Sequence, residues 1–192
     1  MSVPPETRLI LYGGDGGLLT EEDHDWSFEH PEDPKWYYTS TGATYGTTSQ
    51  SKIGFRSFYW SGSTTRYSGR VLKTKNFITD IIPSHPYTVS VWWMSGSYKY
   101  YSYQRMRIIV EWYASDGSHI YDNVSGDFTL SNYNTWEQKY FTTESPEDAA
   151  MAKIRIEVCY ASGGASGSNY FDGVKFTATD HPTADEGYYE VV

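Results

Sequence analysis

The chain is poor in cysteine and in positive charge, and each shortage excludes a class of protein. Its 192 residues include one cysteine, Cys159, so neither an intrachain disulfide framework nor a multi-cysteine zinc site can form. The 15 Lys and Arg residues are outnumbered by 24 Asp and Glu residues, which gives a formal net charge of −9. A duplex-binding groove needs a basic stripe to displace counterions from phosphates, so we expect no nucleic-acid partner.

Long apolar runs and a signal peptide are also missing. No segment approaches the roughly 18 consecutive apolar residues that a spanning helix needs, so we expect no membrane insertion. Residues 1–6 (MSVPPE) lack the charged and then apolar order of a signal peptide, so we expect no classical secretion. The five histidines are scattered without the clustering that zinc ligands require, and we assign them no metal.

Aromatic residues, by contrast, are abundant. They make up 18% of the chain, with 19 Tyr and 7 Trp, which is far from the composition of a disordered protein. Tyr and Trp combine a flat apolar ring with a polar edge, so they suit surfaces that are half exposed to water. Sugar stacking and protein–protein contact both fit this composition.

Hydrophobic residues alternate along most of the chain, which predicts half-buried antiparallel strands. The clearest segments are 87–94, 106–112 and 152–158, and weaker ones are 8–12, 52–60, 75–79, 136–143 and 169–178. Asp116-Gly117 lies between two apolar segments and predicts a hairpin turn. Many short strands separated by turn signals predict an all-β protein, either a sandwich or a barrel.

We expect one domain over residues 1–192, since the length suits a single core. Residues 1 to about 50 are rich in Gly, Asp and Glu and are interpreted as long loops of that domain. Ser145 followed by Pro146 predicts a helical turn over 146–151. Residues from about 180 to 192 form a β-prone tail that we expect to dock on this or another subunit.

Five segments occur in an order that resembles the jelly-roll carbohydrate-binding modules, which are galactose-binding-like antiparallel β-sandwiches. They lie between about Gly69 and Thr177, and they are 86–92 (PYTVSVW), 114–117 (ASDG), 135–138 (TWEQ), 145–150 (SPEDAA) and 170–176 (YFDGVKF). The resemblance implies a jelly roll and a non-catalytic protein that binds cell-surface or polysaccharide glycans.

Modules of this kind occur at the ends of secreted glycosidases and within bacteriophage tail and head-surface proteins. Because this chain shows neither a catalytic domain nor a signal peptide, we expect a structural or adhesion protein of the virion surface, in a capsid decoration or a tail. Its partners would be other virion subunits or copies of itself in a homo-oligomer. A free-standing glycan-binding module of a polysaccharide-degrading system is the alternative.

Catalysis has little support in the sequence. Neither a Gly-x-Ser-x-Gly elbow nor a Cys–His signature occurs, so we assign no catalytic residues. Glu111 and Glu157 fall on the outward side of strands, where ordinary surface charge explains them. A jelly-roll polysaccharide lyase or hydrolase stays open by analogy of fold alone.

A tyrosine-rich segment between two strands is the candidate binding surface. Its rings could stack on a sugar or pack against a neighbouring subunit, and both interpretations stay open. The segment supplies Tyr98, Tyr100, Tyr101 and Tyr103, and the residues predicted to extend it are Trp92, Tyr113, Trp60 and Tyr59.

The resemblance also implies a structural Ca²⁺ with Asp172 as a ligand. Carboxylates and carbonyls of the N-terminal loops would complete its oxygen shell, with Asp15, Glu21 and Glu22 as candidates. The alternative is that Asp172 accepts hydrogen bonds from backbone amides at the end of a strand.

Overall fold

The computed structural model of the chain describes residues 18–19, 21–30, 35–40, 44–62, 70–96, 101–160 and 167–178. Two short helical segments occur in this part, α1 (Glu21–His24) and a 3-10 turn at Tyr101–Tyr103. The strands are β1 (Trp36–Ser40), β2 (Thr44–Thr48), β3 (Ser57–Gly62), β4 (Arg70–Thr74), β5 (Pro86–Ser95), β6 (Gln104–Tyr113), β7 (His119–Val124), β8 (Glu137–Glu144), β9 (Met151–Tyr160) and β10 (Gly167–Ala178). In these ranges, no helix is long and apolar enough to cross a membrane.

The strands form two five-stranded antiparallel sheets. Sheet A has the order β2-β3-β10-β5-β8, and sheet B has the order β1-β4-β9-β6-β7. Neighbours within each sheet are mostly distant in sequence, as in the pairing of β10 with β3 and β5. The predicted all-β fold, an antiparallel jelly-roll β-sandwich, is confirmed.

Alternating side chains from both sheets fill the space between them. The inward side chains of β9 and β6 are completely buried, as are their counterparts on β5. They are Ala152, Ile154, Ile156 and Val158; Met106, Ile108, Val110 and Trp112; and Tyr87, Val89, Val91 and Trp93. Each large apolar side chain contributes about 1.5–3 kcal/mol by its removal from water, so this core holds the two sheets together.

Large rings of sheet A pack against one another within the core. Trp93 and Phe171 stack with their ring centroids 6.4 Å apart, and Trp60 meets Phe171 edge-on at 5.8 Å. The indole N–H of Trp93 donates to the buried Asn169 Oδ1 at 2.9 Å, so the polar edge of that ring keeps a hydrogen-bond partner.

The hairpin predicted at Asp116-Gly117 joins β6 to β7. Gly117 has a φ of +85°, which glycine adopts without a Cβ penalty. The Ala114 N–H donates to the Ser118 carbonyl at 2.9 Å, and the Ser118 N–H donates to Asp116 Oδ1 at 2.8 Å. This prediction is confirmed. The turn could be predicted because its glycine and its hydrogen-bonding groups all lie within a few neighbouring residues.

Some local predictions need correction. Segment 52–60 becomes a strand only at Ser57, and in segment 75–79 only Ile78 makes a bridge, to Ala152. The expected helical turn over 146–151 shortens to one hydrogen-bonded turn, in which the Ala149 N–H donates to the Pro146 carbonyl at 3.1 Å, and Met151 already begins β9. Ser145 accepts a hydrogen bond from the His85 N–H at 3.0 Å and donates to the Ile82 carbonyl at 2.7 Å, so its hydroxyl ties down another loop instead of capping a helix.

The N-terminal region is more regular than its composition suggests. Although residues 1 to about 50 were interpreted as loops, β1 pairs with β4 in sheet B and β2 pairs with β3 in sheet A. The segment 8–12 and the tail from about 180 to 192 lie outside the described residues.

Candidate functional site

The outer faces of the two sheets differ in chemistry. Sheet B carries charged side chains that pair with one another, whereas sheet A carries aromatic rings, hydroxyls and an amide beside a few charged groups such as Asp172 and Lys175. Residues that alternate with the buried core positions of β5, β8 and β10 form the sheet A face, because neighbouring residues of a strand point to opposite sides. This face is the candidate binding surface.

A loop that we call the strap, residues 50–56, crosses part of the sheet A face. Asp172 on β10 holds it, since one carboxylate oxygen accepts the Lys52 N–H at 2.7 Å and the Ile53 N–H at 2.8 Å. Glu29 holds the far end by accepting the N–H groups of Phe55 at 2.8 Å and Arg56 at 2.9 Å. Two carboxylates therefore fix the backbone of the strap.

A β-bulge in β10 lets the strap approach the sheet closely. The register with β5 shifts between Asp172 and Lys175, and Gly173 in the bulge has a φ of +53°. A Cβ on Gly173 would overlap the Ile53 side chain of the strap. Glycine is therefore required here both by the backbone conformation and by the close packing.

The Asp172 carboxyl is completely buried beneath the strap. Burial raises its pKa to about 7, although hydrogen bonds from the N–H groups of Ile53, Lys52 and Gly173 act in the opposite direction. Its second oxygen accepts the Gly173 N–H at 2.7 Å. Asp172 therefore serves as an acceptor for three backbone donors.

Beside the strap lies a group of side chains that we call the Trp92 patch. It consists of Trp92 and Ser90 on β5, Gln138 and Tyr140 on β8, Lys175 on β10 and Lys52 of the strap. Trp92 is directly opposite Gln138 and Asp172, and Ser90 is directly opposite Tyr140 and Lys175. Strand register therefore brings residues from three strands into one patch.

Hydrogen bonds fix the polar groups of the Trp92 patch. The Tyr140 hydroxyl donates to Gln138 Oε1 at 2.5 Å, and Gln138 Nε2 donates to the Ser90 hydroxyl at 3.3 Å. Tyr140 is 58% exposed, and the Trp92 ring is half-buried with the Lys52 ammonium 4.4 Å from its centroid. The patch thus presents an aromatic ring beside an ordered row of hydroxyl and amide groups.

A second aromatic pair lies toward the other side of the sheet A face. Tyr59 on β3 and Tyr170 on β10 are opposite each other, with ring centroids 5.2 Å apart. Tyr170 packs so closely over Gly96 that a Cβ there would meet its ring. Burial raises the pKa of Tyr170 above its ordinary value, and the neighbouring Tyr59 adds to the shift.

The outer face of sheet B is held together by ion pairs around Glu111. This carboxylate contacts the Lys73 ammonium, pairs with Arg155 at 2.8 Å and accepts the Tyr113 hydroxyl at 2.6 Å. Burial, together with that hydrogen bond, raises the pKa of Tyr113 far above its ordinary value. The Glu111 side chain is 3% exposed, so the expectation of ordinary surface charge was wrong for this residue.

Solved structures share this architecture. The enzymatically active domain of tailspike protein 4 from bacteriophage CBA120 is 15% identical, with a TM-score of 0.60, and the alignment covers 85% of this chain and 21% of that one. The C-terminal family 22 carbohydrate-binding module of Clostridium thermocellum xylanase 10B is 14% identical, with a TM-score of 0.59. The alignment covers 87% of this chain and 96% of that one. A xylan-binding domain from Paenibacillus barcinonensis is 18% identical, with a TM-score of 0.55. The alignment covers 81% of this chain and 91% of that one.

This chain has the jelly-roll fold of carbohydrate-binding modules. At these identities the likeness shows the fold alone, and the chain spans about a fifth of the tailspike chain. No protein-family model and no curated protein sequence matches it.

The module does not gather the predicted aromatic residues on one surface. Trp60 is completely buried between the sheets and cannot meet a ligand, which corrects its assignment to the binding surface. Trp92 lies on the outer face of sheet A and Tyr113 on the outer face of sheet B, so they do not share a platform. Tyr103 is 46% exposed just before β6. Tyr98, Tyr100 and the side chain of Tyr101 lie outside the described part of the chain.

Both oxygens of Asp172 accept backbone N–H groups in the described part of the chain, which is the role that the alternative to a calcium ligand gives this residue. In that part, no group of three or more His, Cys, Asp or Glu residues could hold a metal. Asp15 and the side chains of Glu21 and Glu22 lie outside it, so the calcium site stays a prediction.

Sequence reasoning missed the polar members of the Trp92 patch. Gln138 and Tyr140 alternate within the predicted strand 136–143, which was a usable signal for a shared face. Nothing in the local sequence of Lys52 indicates that it lies over Trp92, since the strap is placed by Asp172 across 120 residues of chain.

Proposed function

We propose that this module is a non-catalytic glycan-binding protein that holds saccharides on the Trp92 patch. The observation that carries the proposal is a partly exposed tryptophan beside an ordered row of amide and hydroxyl groups on a jelly-roll sheet. The xylan-binding domain with the same fold supports this choice of ligand class.

The chemistry of the patch suits a pyranose ring. The apolar C–H face of a sugar can stack on the Trp92 indole, while its hydroxyls bond to Gln138 and Tyr140. The buried Ser90 hydroxyl accepts from Gln138 and so helps to position that amide. These three side chains already hold one another by hydrogen bonds, so binding orders few additional rotamers. A fixed sheet surface of aromatic and hydrogen-bonding side chains suits ligand binding better than catalysis.

Two buried carboxylates of the sheets are placed unfavourably for glycoside hydrolysis. Glu111 lies on the outer face of sheet B and Asp172 on the outer face of sheet A. Paired acids must flank one glycosidic bond at about 5–10 Å from each other, which residues on opposite outer faces of a sandwich do not achieve. This placement supports the non-catalytic part of the proposal.

We further propose that the module works at a virion surface, in a tail or a capsid decoration, where it binds other subunits or itself. The fold shared with a phage tailspike domain supports this setting. Light scattering during size-exclusion chromatography should then show a trimer or larger assembly. A strict monomer that binds plant or microbial polysaccharide would instead favour a module of a polysaccharide-degrading system.

Glycan binding is tested directly with an array and a matched pair of variants. We expect the wild-type module to bind at least one saccharide, and Trp92→Ala to weaken that binding about tenfold, because a buried aromatic anchor dominates such an interface. Tyr121→Ala is the control, since this residue is 43% exposed on β7 of the other sheet. Equal binding by all three proteins would place the site elsewhere, and no binding to any glycan would refute the proposal.

A further inference from the structure

The Trp92 patch carries charge opposite in sign to that of the whole chain. The formal net charge is −9, yet the Trp92 patch carries two lysines, Lys52 on the strap and Lys175 on β10. Lys175 is opposite Ser90, one row away from Trp92, so both cations border the same stacking surface.

The carboxylates nearest to the patch are already engaged by backbone N–H groups. Asp172 is sealed under the strap, and Glu29 accepts the strap's own N–H groups. Glu144, at the far end of β8, is four residues beyond Tyr140, which corresponds to about 13 Å along an extended strand. The two lysines therefore supply the positive charge that borders Trp92 on the outer side of the sheet.

Asp172 fixes the backbone of Lys52, while its side chain is exposed on the surface. Asp172 binds the Lys52 N–H at 2.7 Å, whereas the ammonium rests 4.4 Å from the centroid of the Trp92 ring. A neutral sugar stacking on that ring would displace the ammonium and offer it only uncharged hydroxyl acceptors in place of the cation–π contact. A sugar with a carboxylate at the ring edge would give the displaced ammonium an oppositely charged partner and a stronger hydrogen bond.

We propose that the Trp92 patch selects acidic glycans whose pyranose units carry carboxylates, that is, uronic-acid polysaccharides. The uronate ring stacks on Trp92, Lys52 moves from the indole face to the carboxylate, and Lys175 binds the carboxylate of an adjacent unit. This inference rests on the proposed function, because it specifies the ligand class of the same site.

The experiment compares acidic and neutral polysaccharides by affinity electrophoresis and calorimetry. The acidic probes are polygalacturonate, alginate and hyaluronate, and the neutral probes are xylan, β-1,4-galactan and methyl-esterified polygalacturonate. We expect the module to bind at least one acidic probe, and Lys52→Gln and Lys175→Gln each to weaken that binding by roughly 3–5-fold, as for one exposed ion pair. Lys75→Gln, an equal charge change at an exposed site next to sheet B, should leave binding unchanged.

Each outcome separates this inference from the proposed function. Binding of a neutral probe as tight as that of every acidic probe would overturn the acidic selection while leaving glycan binding intact. Binding of acidic probes that Trp92→Ala and Lys52→Gln leave unchanged would also overturn it, because the attraction would lie elsewhere. No binding to any probe would refute both proposals. Thermal melts of each variant check that it is folded.

Discussion

The contact between Asp172 and the strap leads to a prediction in which pH decides the outcome. Asp172→Asn keeps the size of the side chain but removes its charge and one acceptor oxygen. An asparagine can accept the Lys52 and Ile53 N–H groups through its single oxygen, but its amide nitrogen then faces the Gly173 N–H. One buried donor loses its acceptor, which costs about 1–3 kcal/mol of the free energy of unfolding.

The size of this loss should depend on pH in a definite direction. The pKa of Asp172 is raised from its ordinary value of 3.8 to about 7 by burial. Between these two values the folded protein keeps a proton that the unfolded chain has released, so the wild type gains stability as the pH falls. That stabilisation is complete below pH 3.8 and is lost as the pH rises through 7.

One such group changes the free energy of unfolding by at most about 1.4 kcal/mol per pH unit. Asparagine does not titrate, so the stability gap between wild type and Asp172→Asn should widen by about 2–3 kcal/mol from pH 7 to pH 5. Urea unfolding followed by tryptophan fluorescence, at each unit from pH 5 to pH 8, measures this gap.

Asp127→Asn provides the control, since this carboxylate is 43% exposed and pairs with the exposed Arg107. Its effect on the free energy of unfolding should stay below about 1 kcal/mol at every pH. If the difference in the free energy of unfolding between wild type and Asp172→Asn stays constant or narrows toward pH 5, the raised pKa of Asp172 is refuted. Such a result would mean that the three N–H donors keep the carboxylate ionised despite its burial.

Two further predictions concern packing in each sheet. Gly173→Ala should lower the free energy of unfolding by about 1–3 kcal/mol, because its φ of +53° strains any other residue and the new methyl group meets Ile53. Gly126→Ala has open space around the new methyl group and should stay within about 0.5 kcal/mol, so equal effects in urea unfolding would contradict the bulge argument. Glu111→Gln should cost about 2–3 kcal/mol, below the range for fully buried pairs because Lys73 and Arg155 are 25% and 24% exposed. A calorimetric melt that matches wild type would show that the ion pairs around Glu111 contribute nothing net.

The local sequence pattern was sufficient to predict the main strands and the hairpin turn. The alternation in 152–158 places every second residue against the core because the repeat of a strand is contained in its own sequence. The same rule placed Trp92 on the face opposite the core, as the structure shows. Applied to 57–62 it would also have separated Tyr59 from Trp60, since adjacent residues of a strand cannot share a face.

Everything that depends on strand pairing was decided at the tertiary level. Glu111 is buried because β9 brings Arg155 and β4 brings Lys73 to it, which the alternation of β6 alone does not indicate. The strap N–H groups that Asp172 accepts are 119 and 120 residues away. The expected helical turn is cut short because Met151 pairs with Tyr113 of β6 and begins β9.

The amino-acid order by itself determined an acidic all-β protein, its main inward-facing residues and the turn at Gly117. The two folded sheets decided which rings stay in contact with water, which carboxylates are sealed, and which side chains meet at Trp92. The physical reason is the distance along the chain over which each kind of interaction acts. Side-chain alternation and turn chemistry depend on neighbouring residues, whereas register and burial follow from the free energy of the whole sandwich.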